Sequence, residues 1–120
     1  MAYDDANIFA RILRGDVPCD RVAETDHTLA FRDIAPQAKT HVLVIPKGAY
    51  ENLHDFVERA GTDEMADLFG VVAGITRDLG LRVDGYRILA NTGSNGHQDV
   101  PHFHVHLFGG QDLGRMIDPG

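Results

Sequence analysis

Cysteine is nearly missing from these 120 residues: Cys19 stands alone. An internal disulfide and a Cys-rich zinc site are both excluded. No apolar run approaches the length of a membrane span. No internal repeat, low-complexity stretch or domain linker interrupts the chain. The first residues, Met1 to Asn7, are acidic and polar and lack the basic-then-apolar pattern of a secretory leader. Basic charge is scarce too: 11 Lys and Arg stand against 18 Asp and Glu, a formal net charge of −7 with histidine neutral. A nucleic-acid backbone needs a basic footprint, so this balance speaks against such a partner, whereas a few local donors suffice for a small phosphate ligand. The expectation is a cytoplasmic protein with no membrane and no nucleic-acid partner.

What is present fits one domain over residues 1–120, large enough to bury a core without staples. Asn7 can cap a first helix, with Ile8, Phe9, Ile12 and Leu13 on one face and Gly15 at its end. Arg21–Glu24 and Thr28–Phe31 flank the polar turn Thr25-Asp26-His27 and read as a hairpin. His41 to Ile45 is a β-branched apolar strand stopped by Pro46. A short helical turn around Asn52 to Arg59 precedes a long helix with Thr62 as N-cap. In that helix Met65, Leu68, Phe69, Val72, Ile75 and Leu79 recur at helical spacing before Gly80. Tyr86–Ala90 is a fourth strand, Asn91 to Gly96 is turn chemistry, and His102 to Phe108 alternates with period two as a last strand ended by Gly109-Gly110. Neighbouring strands with short connections predict an α+β fold, an antiparallel sheet with its helices on one side.

Seven histidines is a high number for this length, and three of them, His102, His104 and His106, sit two residues apart. On a strand they share one face, while Phe103, Val105 and Leu107 point to the other. Three readings stand. The face is merely solvated. Or the imidazoles hold a metal: strand positions i and i+2 lie roughly 6.7 Å apart and i and i+4 about 13 Å, so two could share an ion, but no carboxylate sits within the strand to complete the set. Or the middle imidazole, His104, is a nucleophile near neutral pH, with its neighbours donating to a developing anion or a leaving group. The third uses all three positions; no metal and no cofactor are expected.

The run His102-Phe103-His104-Val105-His106-Leu107-Phe108 resembles the signature of the histidine triad family, and the glycine pair that follows resembles its Hint branch, the nucleoside phosphoramidate hydrolases. Phe31 to Ala38, Thr40 to Lys47 and Asn91 to Ser94 resemble other blocks of that branch, and the likeness spans Ile8 to Gly114. It implies a five-stranded antiparallel sheet with two helices, pairing across a homodimer into one ten-stranded sheet. It also implies a purine nucleotide substrate, AMP-like, whose P–N bond is cleaved through a nucleotidyl-histidine on His104. His102 and His106 then flank the phosphate and His41 completes the relay. Asp33 accepts the ribose hydroxyls, Asn91 lies near phosphate and ribose, and Ile8, Phe9, Ile12, Val17 and Ile34 form the slot for the purine.

Two positions depart from the branch. Asp99, beside the phosphate, stands where many of its members place serine, and His97 stands where glycine is frequent. The tail, Leu113 to Gly120, also differs. His27, His54 and His97 match no catalytic position. Alternatives within the resemblance are a dinucleoside polyphosphate hydrolase of the same fold, as in the Fhit branch, and a nucleotide-binding regulatory module whose catalysis is incidental.

Overall fold

The computed structural model describes residues 2–119. Eight elements follow in order: α1 (Ile8–Leu13), β1 (Arg21–Glu24), β2 (Thr28–Arg32), β3 (Thr40–Pro46), α2 (Leu53–Arg59), α3 (Thr62–Asp78), β4 (Tyr86–Leu89) and β5 (Val105–Gly109). The strands form one antiparallel sheet in the order β1-β2-β3-β5-β4. The family expectation of two helices becomes three, because the short turn before the long helix is a helix in its own right. Asn52 caps α2 by accepting the Asp55 N–H at 2.9 Å.

Helices cover both faces of the sheet, not one. Along β3, Val42 and Val44 join Leu68, Val72 and Ile75 of α3 in one core, while Leu43 and Ile45 pack with Phe9 of α1 in a second. Period-two alternation separates these sets, and a strand apolar at nearly every position, as β3 is, needs cover on both sides. Phe103, Val105 and Leu107 face α3, as their parity requires. The imidazoles therefore emerge on the α1 face.

Three expectations within the elements are corrected. The N-cap of α3 is Gly61, with Thr62 the first helical residue. Glu64 reaches back to accept the Gly61 N–H at 3.3 Å, and two acidic residues in the first turn suit the helix dipole without a threonine cap. Phe69 is 48% exposed, off the buried stripe that Leu68, Val72 and Ile75 make. The last strand starts at Val105, not His102. Continuing the β3–β5 register past Val44↔Val105 would set Phe103 opposite Pro46, which has no N–H to give. The Phe103 N–H goes instead to the Tyr50 carbonyl at 2.7 Å.

Candidate active site

His102 and His104 thus lie in a non-ladder segment and His106 on the strand, and their surroundings differ accordingly. His102 is 0% exposed. Its Nε2 lies 2.8 Å from the Pro46 carbonyl, which only accepts, so the proton sits on Nε2. Nδ1 then accepts from the Tyr3 hydroxyl at 2.5 Å. Both ring nitrogens are engaged within the protein. This corrects the geometry expected of His102, whose imidazole does not stand beside His104 as a second flanking donor.

His104 Nδ1 lies 2.7 Å from the His102 carbonyl and must donate to it. Its lone pair is therefore on Nε2, which no described protein group holds. The ring meets the edge of Phe9 at 5.0 Å and of His106 at 4.9 Å between centroids. The Gln37 backbone N–H donates to His41 Nδ1 at 3.1 Å, so the His41 proton is on Nε2. That Nε2–H points at His106 Nδ1, 2.9 Å away, which leaves His106 with its proton on Nε2. A fixed chain of tautomers runs from a backbone amide through His41 to a donor on His106.

Burial holds all four imidazoles neutral. It pushes His102 down to about 4, and also His106 to about 4, where the neighbouring His104 and His41 add to the effect. Burial lowers His41 and His104 as well, opposed by Asp33 at His41 and by the His102 carbonyl, Asp33 and Asp99 at His104. A neutral imidazole with a free Nε2 is what nucleophilic attack requires.

Two adjoining cavities open beside these rings. The larger, about 680 Å³, is an apolar slot lined by Ile8, Phe9, Ile12, Val17 and Ile34 together with Phe31, Leu43 and Val100. The smaller, about 250 Å³, is lined by Asn91, Asp99, His97, His104 and His106. Phe9, Asp33, Leu43 and Val100 border both. The structure accordingly brings together every substrate-side residue named from the sequence, with Asp33 at the junction. His41 sits behind His106, and only His102 faces away. Sequence reasoning missed Gln37, Tyr3, Leu43 and Val100; the apolar two carried a core signal, and the other two act through contacts that no local pattern encodes. His97 adopts φ +57°, the left-handed region that glycine prefers, which accounts for the glycine frequent at this position in the family, and nothing in the structure explains the histidine here.

Asp33, His41 and His106 offer ligand atoms within 4.8 Å of one another, a set the strand alone did not contain. His41 Nε2 lies 3.4 Å from Asp33 Oδ2 and 2.9 Å from His106 Nδ1. Ion binding at His41 Nε2 would need the lone pair there, yet the Gln37 N–H already takes the lone pair on Nδ1 and fixes the proton on Nε2. The cluster is built as a hydrogen-bond relay.

An open five-stranded antiparallel sheet with a His-x-His-x-His run leading into the strand beside its central one defines a histidine triad protein. The HIT domain pattern matches residues 14–113, and the chain belongs to the HIT domain family. It is 55% identical over 118 residues to a 13.2 kDa HIT-like protein of Azospirillum brasilense, covering 98% of this chain and 97% of that one. It is 40% identical over 113 residues to the purine nucleoside phosphoramidase of Escherichia coli K12, covering 94% of each. Among solved structures, a histidine triad protein from Clostridium difficile superposes with a TM-score of 0.83 at 34% identity, covering 95% of this chain and 98% of that one. A HIT family hydrolase from Legionella pneumophila superposes with a TM-score of 0.82 at 38% identity, covering 88% and 94%. No helix among the described residues is long and apolar enough to cross a membrane.

Proposed function

We propose that this chain is a hydrolase of purine nucleoside phosphoramidates that works through a nucleotidyl-histidine on His104. The observation that carries this reading is the bond from His104 Nδ1 to the His102 carbonyl, which leaves a neutral Nε2 lone pair at the wall of a polar pocket continuous with a base-sized apolar slot. The 40% identity to the Escherichia coli phosphoramidase supports the substrate class.

The purine enters the slot between Ile8, Phe9, Ile12, Val17 and Ile34. Asp33, between the two cavities, accepts the ribose hydroxyls, and Asn91 and Asp99 border the phosphate. His104 Nε2 attacks phosphorus; the bond from phosphorus to the amine breaks, and the amine departs with a proton lent through His106. Water then attacks phosphorus, the bond to His104 breaks, and the proton left by water restores the His41–His106 pair. One water is consumed, and the products are an amine and a nucleoside monophosphate. The donor on His106 serves both halves, because the intermediate is itself a P–N compound.

Turnover of adenosine phosphoramidate beside diadenosine polyphosphates tests the proposal. The expected result is a kcat/KM above about 10⁴ M⁻¹s⁻¹ for the phosphoramidate. Faster cleavage of the polyphosphates, or tight binding of AMP without turnover, would replace it with the corresponding alternative. The same reading includes a homodimer. β4 is an edge strand carrying Tyr86 and Ile88 at 46% and 43% exposure, with Phe69 exposed on α3, and an apolar edge of that kind needs a partner. Sedimentation at micromolar concentration should show a dimer; a monomer would contradict this part.

A further inference from the structure

The segment from Pro101 to His104 holds the nucleophile yet lies outside the strand ladder. Backbone bonds from the Phe103 N–H to the Tyr50 carbonyl at 2.7 Å and from the His102 N–H to the Val100 carbonyl at 2.8 Å hold its main chain, and a run of side-chain hydrogen bonds that starts near the amino end of the chain fixes its imidazoles. Asn7, the buried N-cap of α1, accepts the Ala10 N–H at 2.9 Å and donates from Nδ2 to the Tyr3 hydroxyl at 2.8 Å. Tyr3 donates in turn to His102 Nδ1 at 2.5 Å. His102 donates from Nε2 to the Pro46 carbonyl at 2.8 Å, and its own carbonyl receives the His104 Nδ1–H at 2.7 Å. The directions are fixed from the Pro46 end: its carbonyl can only accept, so His102 has a single lone pair left at Nδ1, Tyr3 must donate there, and the Tyr3 oxygen accepts from Asn7.

We propose that Tyr3 is a positioning residue for His104: its hydroxyl closes the chain that fixes the His102 ring, and through the His102 carbonyl it holds the lone pair of His104 Nε2 toward the pocket. Tyr3 borders neither the apolar slot nor the polar pocket, so it acts on the nucleophile without touching substrate. Without the hydroxyl, His102 Nδ1 is a buried acceptor lacking a donor, and the ring relieves this by turning or by taking a proton at Nδ1. Either change loosens the carbonyl that orients His104. Small misplacements of a reacting group cost catalysis steeply. The proposal rests on the reading of His104 as nucleophile.

The test uses the full chain with Tyr3→Phe, and with Asn7→Asp as a second variant. An aspartate still caps α1 but offers no N–H to Tyr3, and its carboxylate draws the tyrosine proton away from His102. Two readouts are taken: kcat and KM for adenosine phosphoramidate, and the ring ¹⁵N signals of His102 and His104 in the ligand-free protein. The expected result for both variants is a kcat lower by about tenfold or more with KM within about twofold. In the same samples the His104 signals move from one fixed tautomer toward averaged values. Ring signals unchanged in Tyr3→Phe overturn the proposal whatever the kinetics, and so do shifted signals with wild-type kcat. The ring signals need no substrate. If the wild-type chain hydrolyses no phosphoramidate, the proposed function falls while the signals still decide whether Tyr3 fixes the tautomers.

Discussion

His104→Gly should lower turnover by roughly 10⁴-fold or more, and wild-type enzyme quenched in base during turnover should carry the nucleotide on the peptide containing His104. The size follows from the roles. Removing a donor that only stabilises charge costs about 10²–10³-fold, whereas removing the group that forms the covalent bond removes the pathway. The site follows from the tautomers. His102 has both nitrogens bound to the protein, at the Pro46 carbonyl and the Tyr3 hydroxyl. His106 has its lone pair turned to His41. Of the triad, only His104 presents an imidazole lone pair to the pocket. Base quenching suits the test because phosphorus–imidazole bonds survive there. An adduct on His106 would reassign nucleophile and donor, and a His104→Gly variant within about tenfold of wild type would rule out nucleophilic catalysis at this position.

Acidification from pH 7 toward 4 should cost the fold several kcal/mol, a large share of the ~5–15 kcal/mol that holds a domain together. In the unfolded chain a histidine takes a proton near pH 6.5, whereas burial keeps His102 and His106 neutral down to about 4. Between those values the unfolded state binds more protons than the native one, so stability falls as the pH falls. Well above pH 6.5 neither state is protonated and these groups contribute no slope. At 1.36 kcal/mol per unit, wholly buried His102 accounts for roughly 3 kcal/mol, and His106, partly open to the pocket, for somewhat less. The lowered His41 and His104 act in the same direction. Asp55, held at about 2 mainly by Arg59, loses its contribution only at lower pH, which separates the two effects. Urea unfolding at pH 7, 5.5 and 4.5 measures the slope, and His106→Gln should flatten part of it. Stability constant within about 1 kcal/mol over that range would show that the imidazoles are not held neutral.

Much of this was legible in the residues. The hairpin, the apolar strand at His41–Ile45, the cap at Asn7 and the stripe of Leu68, Val72 and Ile75 follow from periodicity and capping, and the structure has them nearly where expected. The parity of the histidine run was right for Phe103, Val105 and Leu107. What failed around the histidine run has one physical root: hydrogen bonds to backbone groups and to positions that no local residue pattern reports. The last strand begins late because Pro46 lacks an N–H opposite Phe103, which no window around His102 reveals. His102 faces inward because a carbonyl across the sheet and Tyr3, 99 positions away, claim its nitrogens. The His41 tautomer depends on the backbone of Gln37, whose side-chain identity says nothing about it. Helical cover on the second face was missed because α1 is only six residues long and its stripe gives no direction of docking.

Phe9 wedges between the two cavities and meets the His104 ring edge-on. In evolutionary terms, and on the proposed function, that single ring ties the choice of base to the chemistry. A lineage that reshaped the deep wall of the slot at Phe9 would disturb the nucleophile in the same step. The lip of the slot is under no such restraint: Ile34, 100% exposed, sits clear of the packed interior. On the proposed function, drift in nucleobase preference is therefore channelled to the rim, where Ile8 and Ile34 can change size one at a time while the imidazole behind them stays as it is.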